Sequence, residues 1–167
     1  PAAKDAFIKA AEIAKNAGRK VALSLSDSFC VNRHRESFLK LVENHIDILF
    51  ANDDEIKALY KTSSLNTAIE ELKQTCDLAA ITIGKKGSIL ISSSKEINID
   101  PFSFGKAIDT TGAGDLYAGG FLKGLADGLK PEISARIGSI CAGQIVTQIG
   151  SRSKKPLKEL LKNNLPS

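Results

Sequence analysis

Three short apolar runs recur along the chain with helical stretches between them: Val21–Asp27 (VALSLSD), Ile46–Asn52 (IDILFAN) and Asp77–Gly84 (DLAAITIG). Strands that alternate with helices in this way predict parallel pairing, because a parallel connection needs a crossover of about a dozen residues. The fold class is therefore α/β, with a Rossmann-like core of mostly parallel sheet flanked by helices. Apolar positions at Ala3, Phe7, Ala10, Ala11 and Ile13 predict a first helix that Gly18 ends. A second is expected from about Arg33 to Asn44, a third from Asp53 with Ile56 and Leu59 inward, and a fourth around Ala68, Leu72 and Thr75. The segment GSILISSSKEINID reads as two short strands joined by a Ser-Lys turn, an antiparallel edge hairpin. After a loop at Pro101 and Phe102, three helices are expected: Ala113 to about Gly128, Glu132 to about Gln148, and Leu157 to Leu165. Residues 1–167 read as a single α/β segment, and in open sheets of this kind ligands sit beyond the carboxyl ends of the strands.

Length and charge narrow the function classes. A chain of 167 residues can bury a self-sufficient core. Its 23 basic and 19 acidic residues are interleaved, so the net charge of +4 gives little attraction to a polyanion and disfavours a nucleic-acid module. No apolar run approaches the ~20 residues that cross a bilayer. The amphipathic N-terminus is not a signal peptide, so no membrane partner and a cytoplasmic location are expected. Cys30, Cys76 and Cys141 lack metal-ligand spacing and read as buried small hydrophobes. His34 and His45 have no acid or cysteine at ligand spacing and read as structural. Arg33 and Arg35 read as a solvated loop. The chain contains no methionine and opens on Pro1 inside a helical pattern, which reads as a piece of a longer protein.

The chemistry concentrates in DTTGAGDLYAGGF, Asp109–Phe121. A dinucleotide fingerprint would need glycine where Tyr117 stands, and the P-loop pattern is absent, since GKKGS at Gly84–Ser88 has its letters in the wrong order. Gly112, Ala113 and Gly114 present three amides with almost no side-chain bulk at the start of a helix. Unsatisfied N–H groups and the positive end of the dipole make that an anion site, and glycine lets a phosphate approach closely. Asp115 would repel a triphosphate. Two readings of it stand: a helix-capping acid after a glycine turn, or the general base for a hydroxyl that attacks the phosphate. Tyr117, Phe121 and Leu125, at helical spacing, read as core. Asn52–Glu55 by itself is an acidic helix N-terminus, and Gly84 and Gly87 by themselves are turn glycines.

DTTGAGD resembles the C-terminal signature of the PfkB (ribokinase-like) family of sugar and nucleoside kinases, D-T-x-G-A-G-D. NDDE at Asn52–Glu55 is similar to that family's N-x-x-E motif, and ITIGKKGSIL at Ile81–Leu90 to its T-x-G-x-x-G loop. LSDSFCVNRHRESFLKL and ILFANDDEIKAL look most like the bacterial adenosine kinase-like subgroup.

The resemblance implies a ribokinase-type core and ATP-dependent transfer of the γ-phosphate to an alcohol of a small-molecule sugar or nucleoside. Asp115 would be the base, and the amides of Gly112, Ala113 and Gly114 the anion hole. Asn52 and Glu55 would organise Mg²⁺ and its waters. Thr82, Gly84 and Gly87 would line the nucleotide side. Asp109 and Thr111, with Gln148 and Gly150, would hold a monovalent cation such as K⁺. The resemblance covers only the C-terminal half of such an enzyme. The N-terminal half, with most of the acceptor pocket and the β-sheet lid through which a homodimer would form, has no counterpart here. Kinase activity is therefore not expected of the segment alone. A catalytically idle ligand-binding scaffold on the same fold is the rival reading.

Overall fold

The structure, a computed structural model, describes residues 2–165, with backbone only at Ala2 and Ala3. Pro1 and the Ala3 side chain, both used in the expectations above, lie outside what is described. Five strands pair in the order β1 (Ala22–Ser24), β2 (Ile48–Asn52), β3 (Leu78–Thr82), β4 (Ser88–Ser92) and β5 (Lys95–Ile99). The sheet is mixed and mostly parallel. β1 and β2 run parallel, with Ala22 opposite Ile48 and Ser24 opposite Phe50. The expected α/β core with a hairpin at one edge is what forms.

Two compact units make up the chain, Pro1–Ile81 with Ile91–Lys95 and Thr82–Leu90 with Glu96–Ser167. The first holds α1 (Ala2–Asn16), α2 (Ser28–Arg33), α3 (Arg35–His45), α4 (Asp53–Tyr60) and α5 (Leu65–Lys73). Its core is aliphatic: Val31, Leu49, Ile56, Leu59, Leu72 and Ile81 are at or near zero exposure. The Asp47 carboxylate accepts the Val21 N–H at 2.7 Å and so fixes the start of β1.

Several expectations are corrected in this unit. The first strand stops at Ser24, because Ser26 turns the backbone to φ 63° and Asp27 caps α2 by accepting the Phe29 N–H at 2.7 Å. That short helix carries no periodic signal in the sequence. Cys30 rides on it and is exposed, unlike the buried Cys76 and Cys141. Arg33 and Arg35 lie in helices rather than a loop, and Arg35 Nε donates to Leu59 O at 2.8 Å, satisfying a carbonyl at the end of α4.

The second unit holds β5, α6 (Ala113–Ala126), α7 (Pro131–Ile145) and α8 (Leu157–Asn164). α6 and α7 pack antiparallel through glycines. A Cβ at Gly120 would lie 2.9 Å from Cys141 Sγ, one at Gly124 2.7 Å from Ser134 Oγ, and one at Gly138 2.7 Å from Tyr117 O. Tyr117 and Phe121 are buried as expected, with Leu125 partly so. No helix among the described residues is long and apolar enough to cross a membrane.

Candidate functional site

Each sequence-predicted residue falls at the carboxyl end of a strand, in the turn after it, or at the start of a helix and the loop that leads into it. In the first unit, Asn52 is the last residue of β2 and the N-cap of α4. Its Oδ1 accepts the Glu55 N–H at 2.8 Å, while Glu55 Oε2 accepts the Asn52 N–H at 2.9 Å and Oε1 accepts Asn52 Nδ2 at 2.8 Å. This reciprocal capping box accounts for N-x-x-E on structural grounds alone. It also buries Glu55, and that burial, more than the nearby Asp27 and Asp54, pushes its carboxyl above the usual range. Each carboxylate oxygen keeps a lone pair beyond the one Asn52 uses. Among the described residues no group of three or more His, Cys, Asp or Glu could cage a metal. The donor set therefore fits an ion that keeps most of its waters, as Mg²⁺ does, and not one that needs a full protein cage.

In the second unit, Thr82 ends β3, and a single 3₁₀ turn, Gly84–Lys86, follows. The turn closes through Ile83 N–H to Gly87 O at 2.9 Å and Gly87 N–H to Gly84 O at 3.1 Å. Gly84 has φ 58° with open space where a side chain would be. Gly87 has φ 93°, and a Cβ there would collide with Ile99 O and sit 2.8 Å from Pro101 N. No other residue type fits at 87.

The segment before α6 is held from both sides. Val146 O accepts the Ile108 N–H at 2.7 Å. Asp109 Oδ2 accepts the Gly150 N–H at 2.9 Å, and Oδ1 accepts the Thr111 N–H, also at 2.9 Å. These donors, Gly150 first and then Thr111, hold the Asp109 carboxyl down at about 2. Asp109 is thereby a clamp between two backbone segments. Gln148 closes the loop beyond it, with Nε2 donating to Arg152 O at 2.6 Å and Oε1 accepting the Lys154 N–H at 3.0 Å.

Gly112 is the N-cap of α6 at φ 79°, and a Cβ on it would lie 2.7 Å from Ser151 Cβ. Of the three amides expected to face an anion, that of Ala113 donates to Thr110 O at 3.1 Å. Those of Gly112 and Gly114 have no acceptor among the described residues. A Cβ on Gly114 would meet nothing within 4 Å. Asp115, in the first turn of α6, is exposed, and its carboxylate has no partner among the described residues. Ser151 was legible only as part of a polar loop, since its approach to Gly112 joins distant parts of the chain. The glycines Gly120 and Gly124 serve helix packing, which the crowded sequence GDLYAGGFLKG did not separate from phosphate approach.

The chain matches the model of the pfkB family carbohydrate kinases over residues 1–158. A nucleoside kinase of Methanocaldococcus jannaschii is 34% identical over 122 residues, which are 73% of this chain and 39% of that protein. The crystal structure of adenosine kinase from Sinorhizobium meliloti is 41% identical, with a TM-score of 0.93 over 98% of this chain and 50% of that one. Arabidopsis thaliana ribokinase, solved with ribose and ATP, is 25% identical, with a TM-score of 0.79 over 95% of this chain and 53% of that one. The chain spans about half the length, or less, of the relatives it matches.

Proposed function

The chain belongs to the pfkB family of carbohydrate kinases, and from that premise we propose that it carries the phosphoryl-transfer half of an ATP-dependent kinase acting on an alcohol of a sugar or nucleoside. The observation that supports this most is the first turn of α6. Two open amides and an unpartnered carboxylate share it, beside a glycine that packing does not require.

In the proposed reaction Asp115 takes the proton of the acceptor hydroxyl as its oxygen bonds to the γ-phosphorus and the bond from that phosphorus to the β-phosphate oxygen breaks, releasing ADP. Charge on the transferring group is met by the Gly112 and Gly114 amides and the start of α6, with Ala113 joining only if its bond to Thr110 opens. Such a transfer depends on positioning and electrostatics more than on covalent chemistry. Thr82, Gly84 and Gly87 form the nucleotide side of the site. Glu55, oriented by Asn52, would hold Mg²⁺ through its waters, an ion that would supply charge neutralisation to a nucleotide's phosphates. A K⁺-sized cation would sit in the loop that Asp109, Thr111 and Gly150 shape. In this reading the other half of the protein selects the acceptor and carries the lid of a homodimer, and the enzyme works in the cytoplasm.

The test is ATP consumption by the full-length polypeptide that contains this segment, screened against adenosine, other nucleosides, ribose, fructose and phosphosugars. ATP use that depends on one of these alcohols supports the reading. Tight ligand binding with no phosphoryl transfer to any of them would make the chain a binding scaffold instead.

A further inference from the structure

Tyr117 stands two residues beyond Asp115 on α6, and Ser88 follows Gly87 directly. Their hydroxyls share a hydrogen bond at 2.8 Å in the interior, where Ser88 is 1% and Tyr117 3% exposed. Both ends of this bond are rigid. The Tyr117 ring lies against Gly138, where a Cβ would be 3.2 Å from the ring carbons, and it stacks on Phe121 with centroids 6.4 Å apart. Ser88 is fixed by Gly87, whose own Cβ space is taken by the backbone of Ile99 and Pro101. Burial raises the Tyr117 phenol to about 12, so it remains a neutral hydroxyl at any pH near neutrality. A buried hydroxyl pair adds little net stability over two apolar groups of the same shape. Its effect lies in what it joins.

We propose that the Ser88–Tyr117 pair is a positioning device that couples the nucleotide turn, Ile83–Gly87, to the helix that carries Asp115, so that one bond sets the seat of the nucleotide and the place of the base together. This rests on the assignment of that turn to the nucleotide and of Asp115 to proton transfer. Removing either hydroxyl strands the other in the core, and the loss should spread to both ends of the bond.

Hydrogen exchange on the chain tests the coupling without any need for turnover. S88A and Y117F should each speed exchange about tenfold at the Ile83 and Gly87 amides of the turn and at the Leu116 amide of α6. The double variant should add little to either. Acceleration confined to the substituted side, or effects that simply add, would overturn the coupling. S88A is the milder change and reports the same bond if Y117F folds poorly. In the full-length enzyme, Y117F should raise the KM for magnesium-ATP and lower kcat together by several-fold, whereas a merely structural residue would reduce the amount of folded enzyme at the parent KM. A parent enzyme without kinase activity would overturn the assignments beneath the proposal. An active parent whose Y117F variant keeps the parent KM would overturn the proposal alone.

Discussion

Gly87, Gly112 and Gly114 are one residue type meeting two different demands. Gly87 and Gly112 have positive φ and neighbours that leave no room for a Cβ, so the fold requires them. Gly114 is helical and faces open space, so the fold does not. Gly114→Ala should therefore leave the melting temperature unchanged or raise it slightly, since alanine favours a helix over glycine by up to about 1 kcal/mol. The same substitution should lower phosphoryl transfer tenfold or more by crowding the approach to the α6 amides. Unchanged turnover would mean that no phosphate comes close there. Asp109 makes a separate prediction about pH. Its carboxyl sits at about 2 against an ordinary 3.8, so its contribution to stability is present above the ordinary value and is lost as pH falls towards 2. Asp109→Asn should flatten the acid limb of unfolding between about pH 4 and 2. Glu55 has the opposite sign, because its raised carboxyl favours the folded state at low pH and loses that advantage as pH rises. At this scale the helix start at Gly112 and the first-turn position of Asp115 were legible in the sequence. The engagement of the Ala113 amide was not, because it depends on the dihedral angles of the Thr110 turn.

At the scale of elements, α6 and α7 are joined by a seam of small residues, and this part of the glycine-rich stretch is architecture. Gly138→Ala should cost about 1–3 kcal/mol, since its Cβ would lie 2.7 Å from Tyr117 O, between two backbones that cannot both yield. Gly119→Ala is the control, with nothing within 4 Å of its Cβ. Denaturant unfolding of the two variants separates a glycine that packing requires from one that faces open space, and equal midpoints would remove the seam from the account. The long helices and the edge hairpin were legible because their periodicity is strong. α2 was not, being six residues capped by Asp27, with Phe29 turned out to solvent at 84% exposure. The seam was also hidden, because a glycine that admits a helix and a glycine that admits a phosphate are written with the same letter.

For the whole molecule, the account divides the labour of a kinase. This chain is about half the length of its relatives or less, and on the proposed reading it would hold the base, the anion hole and the nucleotide turn while residues outside it choose the acceptor. The purified 167-residue chain should accordingly bind nucleotide weakly and show no useful turnover of ATP against adenosine or ribose. Robust phosphorylation of either by the segment alone would end that division. Family membership was legible because three motifs stand in order along the chain. Acceptor choice was not, because no motif in this sequence favours one alcohol over another. The central claim, that Asp115 is the base, is tested most directly by Asp115→Asn in the full-length polypeptide, with turnover and ATP affinity measured side by side. The account predicts a loss of about 10²–10⁴ in turnover with ATP affinity nearly unchanged; a variant that keeps most of its turnover would contradict it.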